Sequence, residues 1–436
     1  MSASGPSKPL DLAIVGGGIS GLTFAIGLLE NGIRPTIYEA AAHFGEIGAG
    51  VAFGPNACRA IAKISPKVAA AFDKCKTANT FESKGNTWFD VRIGDERRAD
   101  KDGYVKPGVK VGDLLYEILF SSNDNRGGVH RARFLDELVK IVPDGVAKFG
   151  KKLADISDAT DGSGDVVLHF MDGSIAQHTA VVGCDGIKAR TREIVLGKDD
   201  PAATPVFSGK YAYRGLIPMD EAIKLVGEEE AQNSQFYFGY HGHLLTFPIE
   251  KGKTMNVVAF SSAKEWKNPN WVVSTSKEEM QADFAGWGPK VTSIVGAMQK
   301  PDIWALFYHL PASTFYKDRI CLLGDAAHAT TPHQGAGAGM CVEDSLVLSS
   351  ILKDAKTVDD IKKAFVAFDQ VRRPRTLKNV VTSGEAGQLY EFELEGDDLD
   401  QIEKNQRERM KWIWDIDLDE QIEQARKIYQ GDRAKM

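Results

Sequence analysis

Asp11-Leu-Ala-Ile-Val15 runs into Gly16-Gly-Gly18-Ile-Ser-Gly21, and Arg34-Pro-Thr-Ile-Tyr38-Glu39 follows within thirty residues. The first five residues read as a buried strand, Ser20 to Asn31 as a helix ending near Gly32, and Arg34 to Tyr38 as a second strand. That is a βαβ unit whose glycines open the helix. Glycines at 16, 18 and 21 permit a tight turn and let backbone approach a pyrophosphate at the helix N-terminus, where free N–H groups and the dipole favour an anion. Glu39, closing the second strand, is placed to accept hydrogen bonds from a ribose. The stretch predicts a dinucleotide site but does not choose between nicotinamide and flavin dinucleotides.

Working outward, apolar residues recur at helical spacing over 130–141. Val166 to Phe170 and Ala180 to Gly183 read as strands. From about 205 to 310 the texture becomes short β-like runs such as Phe236-Tyr-Phe238, Leu244 to Ile249 and Asn256 to Phe260, a second unit built on a sheet. Arg319 to Leu323 returns to a buried strand. It leads through Gly324-Asp325 and Thr331-Pro332-His333-Gln-Gly335-Ala-Gly337-Ala338-Gly339 into a helix from about Gly339 to Lys353, carrying Glu343-Asp344. Asp325 at the strand end suits a polyol chain. The glycine run suits a planar ring, and the following helix points its positive end there, where it would stabilise an anionic reduced flavin. A third element, Gly183-Cys184-Asp185-Gly186, ends another strand.

The three segments together resemble the class A flavoprotein monooxygenases, the p-hydroxybenzoate hydroxylase superfamily, over roughly residues 10–390. The resemblance implies an α/β fold: a Rossmann-like FAD-binding domain, a β-sheet substrate domain and a helical C-terminal tail. Residues 1–78, 108–200 and 311–390 would form the discontinuous FAD-binding domain, 79–107 and 201–310 the substrate domain, and 391–436 the tail. The tail is expected as surface helices packed back by Trp412 and Trp414. By resemblance Gly16, Gly18, Gly21 and Glu39 hold the ADP part of FAD, and Asp325 with Gly337 and Ala338 the ribityl and ring. Asp185 serves both FAD and NAD(P)H, and Arg131 matches an arginine that contacts the flavin. Cys184 departs from the alanine common there, another small residue. NADH or NADPH would reduce FAD, and O2 would then supply the oxygen placed on an electron-rich ring. Within the superfamily the chain is most similar to the salicylate hydroxylases and their fungal relatives, through Gly45-Glu-Ile-Gly-Ala-Gly50 with Pro55-Asn-Ala57, Tyr211-Ala-Tyr-Arg214-Gly-Leu-Ile217 and Trp412-Ile-Trp-Asp-Ile-Asp417. Salicylate would then yield catechol and CO2. Hydroxylation of another phenol, or a flavin redox role without oxygenation, is the alternative.

Individual side chains carry two readings each. Arg214 suits a substrate carboxylate or phenolate through bidentate contact, or else a domain-interface ion pair. His333, with Pro332, sits in the loop expected to face the flavin and is a candidate base; His328 reads as structural. Phe238 and Phe247 are candidate pocket walls, although alternation sends half of such residues to the core. His241 and His243 lack further ligands at metal-site spacing, so no metal is expected. Arg372-Arg373-Pro374-Arg375 reads as a helix end with a solvated basic cluster.

A net charge of −7 argues against a general nucleic-acid binder, and 43% hydrophobic residues leave ample material for a core. The polar start Met1 to Pro9 and the short apolar run Leu10 to Val15 suit neither a signal peptide nor a membrane span. Five cysteines without CxxC spacing suit a reducing compartment. A cytoplasmic protein is expected, monomer or homodimer, whose partners are a small aromatic substrate and O2.

Overall fold

The computed structural model describes residues 10–45, 50–98, 109–122, 124–299 and 302–431. Met1 to Pro9 and positions 46–49 of the Gly45–Gly50 motif lie outside them, as does the span 99–108 that contains the expected boundary near 107.

The opening strand is Leu12–Val15, all four residues buried, and the helix after it is Ile19–Glu30. The second strand is shorter than its sequence suggests, Thr36–Tyr38, because Pro35 brings no N–H to a ladder. Leu12–Val15 pairs in parallel with Thr36–Tyr38 on one side and Ala180–Gly183 on the other. Ala147–Lys148 and Ile320–Leu322 extend the sheet in parallel, and Tyr316–Lys317 closes it antiparallel. Strands from widely separated stretches thus share one Rossmann-like sheet, which explains their near-continuous apolar sequences. The helices Ile19–Glu30, Pro55–Ile64 and Gly337–Leu352 pack together over it.

The second sheet has eight strands among the described residues. Its order is Val272–Ser274, Asp302–Tyr308, Val206–Pro218, Thr254–Ser262, Gly242–Ile249, Gln235–Gly239, Thr87–Ile93 and Leu114–Leu119. Its outer face is covered by Met219–Val226, Lys277–Asp283 and Pro289–Ala297, helices that the β-like texture of 205–310 had hidden. Its inner face turns toward the Rossmann-like sheet.

Two expectations are corrected here. The helix carrying Arg372 to Arg375 does not end at Pro374; it is a 33-residue helix, Val358–Tyr390, that runs through it. Nor is the cluster solvated. Arg372 and Arg375 are buried, Arg372 reaching both Glu343 and Asp344 at 2.8 Å and Arg375 reaching Glu343 at 2.8 Å. These pairs hold the two helices together against the proline's cost of about 3 kcal/mol. The C-terminal helices Leu399–Trp414 and Leu418–Gln430 are likewise more than surface decoration. Trp414 is 4% exposed, with its ring 4.6 Å from Phe120 and 5.2 Å from Trp88. Leu418 and Ala425 join the core of the first sheet.

Candidate active site

A deep cavity of about 810 Å³ runs between the two sheets. Its lining runs from the glycine turn at Gly16 and Glu39 to Arg214 and Trp304, so it joins the dinucleotide motif to the inner face of the second sheet.

One end is built by the glycine turn. Gly16 has φ +105°, and a Cβ there would lie 2.3 Å from the Cys184 carbonyl oxygen, so only glycine lets the two strand ends meet. Gly18 caps the helix Ile19–Glu30 without a side-chain hydrogen bond, and its first turn holds no acid. The positive helix end is therefore open to an anion. Gly21 packs the helix against the turn, since a Cβ would meet the Gly16 carbonyl at 2.0 Å. Glu39 accepts from the Gly17 N–H at 2.7 Å and the Ala41 N–H at 2.8 Å, so it braces the turn as well as lining the cavity.

The other wall comes from the loop after Ile320–Leu322. Gly324, at φ +65°, lets this loop touch the first helix, where a Cβ would lie 2.2 Å from Ser20 Oγ. Asp325, Pro332, His333, Gly335, Gly337 and Ala338 face the cavity. The helix Gly337–Leu352 starts here, again with no side-chain cap and no acid in its first turn. Asp185 lies across the space, its carboxylate accepting from the Thr191 N–H at 3.0 Å, and Arg131 completes the rim. Two uncapped helix ends, the Asp185 and Asp325 carboxylates and a glycine-lined wall fit FAD. Glu39 would take the ribose and Asp325 the ribityl chain, with Gly337 and Ala338 along the ring.

The sheet's register builds the substrate end. Arg214 pairs with Val258, Val258 with Leu245, and Leu245 with Phe236, a row that points into the cavity. In the next row Ala212 and Phe260 still line the cavity, while His243 and Phe238 slide under the end of the long helix. Phe238 is thereby corrected as a pocket wall: it is fully buried, its ring stacked 5.1 Å from Tyr390, and Phe236 faces the cavity instead. Phe247 does line the cavity, beside Asn256. Trp304 was missed by sequence reading, as were Leu245, Val258 and Phe260. Alternation along 242–249 and 254–262 carried the signal, but choosing the inner face requires the pairing.

Arg214 Cζ sits 4.7 Å over the Trp304 ring, and its enclosed Nε has no hydrogen-bond partner. It makes no ion pair among the described residues. Burial, then repulsion from Arg131, brings its pKa down to about 10, so it stays cationic at neutral pH. His333 is 3% exposed and burial pushes its pKa down to about 3, leaving a neutral imidazole and a weak base. Its ring lies 5.2 Å from His243. His243 Nδ1 meets Glu391 at 2.9 Å, and Lys210 also holds that carboxylate. This is an internal ion cluster, unlike a metal site. His328 is buried with Nε2 2.5 Å from Asp344.

A Rossmann-like sheet whose two uncapped helices meet in one dinucleotide-sized cavity, roofed by a second sheet, defines a flavoprotein. A family model described as an FAD binding domain matches residues 176–380, and one described as an NAD(P)-binding Rossmann-like domain matches residues 14–54. The 6-methylsalicylate 1-monooxygenase of Aspergillus terreus is 41% identical over 429 residues, covering 97% of this chain and 93% of that protein. A salicylate hydroxylase of Pseudomonas putida is 37% identical, covering 98% and 96%. A solved salicylate hydroxylase in complex with its substrate superposes with a TM-score of 0.83 at 31% identity, covering 96% of this chain and 98% of that one. The chain belongs to the FAD-dependent monooxygenases of the salicylate hydroxylase type. It is a flavoprotein aromatic monooxygenase with FAD as cofactor. No described helix is long and apolar enough to cross a membrane.

Proposed function

We propose that the enzyme hydroxylates a small phenolic acid at its carboxyl-bearing carbon, turning salicylate into catechol and CO2. Arg214 carries this reading: an enclosed cation with no counter-ion among the described residues is a seat for an anionic substrate. Bound FAD supplies the reduction by NADH or NADPH and the activation of O2. The chain's own residues orient the ring. Arg214 takes the carboxylate, while Phe236, Leu245, Val258 and Phe247 supply apolar walls. The wall of Pro332 and His333 closes the space, and neutral His333 serves as a hydrogen-bonding group that positions the phenol. The N-terminus of Gly337–Leu352 favours negative charge on its side of the cavity. Water exclusion follows from the roof of the second sheet. The reading places the enzyme in the cytoplasm, where its five cysteines stay as the free thiols observed.

A methylated ring is the second reading. The 41% identity to the 6-methylsalicylate enzyme favours it, and an apolar wall accepts a methyl group at no polar cost. NADH oxidation by the yellow protein, with and without each acid and with products separated, decides. Catechol from salicylate or 3-methylcatechol from 6-methylsalicylate, matching the NADH consumed, supports the function and names the better substrate. Unchanged oxidation with either acid and either nucleotide overturns it.

A further inference from the structure

Beside the main cavity lies a narrower chamber that neither the cofactor nor the substrate reading uses. Its floor is the antiparallel pair of strands Gly50–Phe53 and Gly127–His130 with the start of Pro55–Ile64. Phe120, Ile413 and Trp414 make one side. The two spaces share Ala52, Trp88, Phe89, Phe247 and Gly335 as a common wall.

That wall is thin and largely made of rings. The Phe247 ring lies directly over glycine backbone: a Cβ would stand 2.7 Å from it at Gly50 and 3.3 Å at Gly128. Trp88 is half-buried, and a Cβ on Gly335 would lie 3.8 Å from its indole. The glycines bring no side chain to this wall, so Phe247 rests on backbone alone, while the Trp88 indole is held edge-on by Phe89 at 5.0 Å and Trp414 at 5.2 Å. The chamber's far end reaches the surface at exposed Ala78 and Gly85. Arg126 stands beside that end. The acceptors it reaches there are neutral: the carbonyls of Ser122, Asp124 and Gly85, and the Asn86 amide oxygen. Asp124, the carboxylate that acts on it, is already paired with Arg59 at 2.6 Å, so this end keeps positive charge that draws small anions.

We propose that this chamber is a side passage through which the aromatic acid reaches the ring end of the main cavity and the product leaves, with Trp88 and Phe247 as its gate. The proposal rests on the reading of the main cavity as the flavin and substrate site. The glycine turn and Glu39, which would hold FAD, stand at the opposite end from Phe247. Cofactor and substrate thus have separate doors, and the flavin need not leave for the substrate to exchange.

The test uses the FAD-loaded enzyme, rapid mixing with salicylate, and the flavin spectrum as the signal. Ala78→Phe narrows the outer opening without touching the main cavity, and Trp88→Ala removes half the gate. In Ala78→Phe, association and release should both slow about tenfold while Kd stays within about twofold, the signature of a passage rather than a contact. In Trp88→Ala both rates should rise. A changed Kd at an unchanged association rate, or no change in either variant, overturns the passage. If wild-type enzyme shows no response to salicylate, the substrate reading falls by itself. Acrylamide quenching of flavin fluorescence then tests the passage alone, weaker in Ala78→Phe and stronger in Trp88→Ala. Equal quenching in all three proteins overturns it.

Discussion

Arg214 draws its preference for anions from its setting. Enclosure strips its water while Trp304 covers one face, so an arriving carboxylate meets a poorly solvated cation. A hydrogen bond to a charged group contributes about 1.5–3 kcal/mol. Arg214→Gln should therefore weaken salicylate binding about ten- to hundredfold by flavin-spectrum titration, with FAD content unchanged. Arg214→Lys should recover only part, because a point charge does not replace a planar fork. Glu39 works through backbone, bracing the Gly17 and Ala41 N–H groups. Glu39→Ala should raise the FAD dissociation constant about tenfold or more, read by recovery of flavin fluorescence on dilution, while circular dichroism stays unchanged. These two residues differ in how far sequence revealed them. Glu39 stands at a fixed distance from a local motif. Arg214 showed only its charge, and its enclosure with an unpartnered Nε over Trp304 is a fact of three-dimensional packing. Phe238 misled because Phe236 and Phe238 alternate identically, and only the pairing with Leu245 and His243 separates their surroundings.

At the scale of elements, the two long C-terminal-half helices are joined by buried charge. Burial alone would raise the Glu343 carboxyl, but Arg375 and Arg372 outweigh it and hold it down at about 2, with Asn56 donating at 2.6 Å. Its ordinary value is 4.5, so the folded value is depressed. The stability it contributes is present above pH 4.5 and is lost as pH falls from there toward 2. Glu343→Gln should cost about 3–5 kcal/mol in denaturant unfolding at neutral pH, since it takes the carboxylate from buried Arg375 and leaves Arg372 with Asp344 alone. Its stability should also fall less steeply than wild type between pH 4.5 and 3. The motif that suggested a solvated cluster contained the right arginines. Proline seemed to end the helix because local propensity ignores the acids waiting on the neighbouring helix.

For the whole molecule, the C-terminal helices bind the two sheets into one body. Arg375 donates to the Trp412 and Ile413 carbonyls, and Arg59 to those of Trp414 and Ile416. Trp414→Ala should lower the unfolding free energy by about 3–5 kcal/mol, as large buried aromatics do on truncation. A chain ending before Leu399 should be insoluble on expression. The charged sequence of 391–436 concealed this, because its few apolar residues lie on one side of each helix and composition averages them away. The Rossmann-like sheet was legible from the start because its strands are continuous apolar runs ending in glycine turns. The roofing sheet was legible as texture but not as register, and register is what assembles the substrate end.

The most direct test of the central claim is turnover of salicylate by the purified FAD enzyme under 18O2 with NADH. The account expects one labelled oxygen in each catechol, one in water, and one CO2 released for each NADH oxidised. Catechol without label, or NADH oxidised at the same rate whether or not an aryl acid is present, would contradict it.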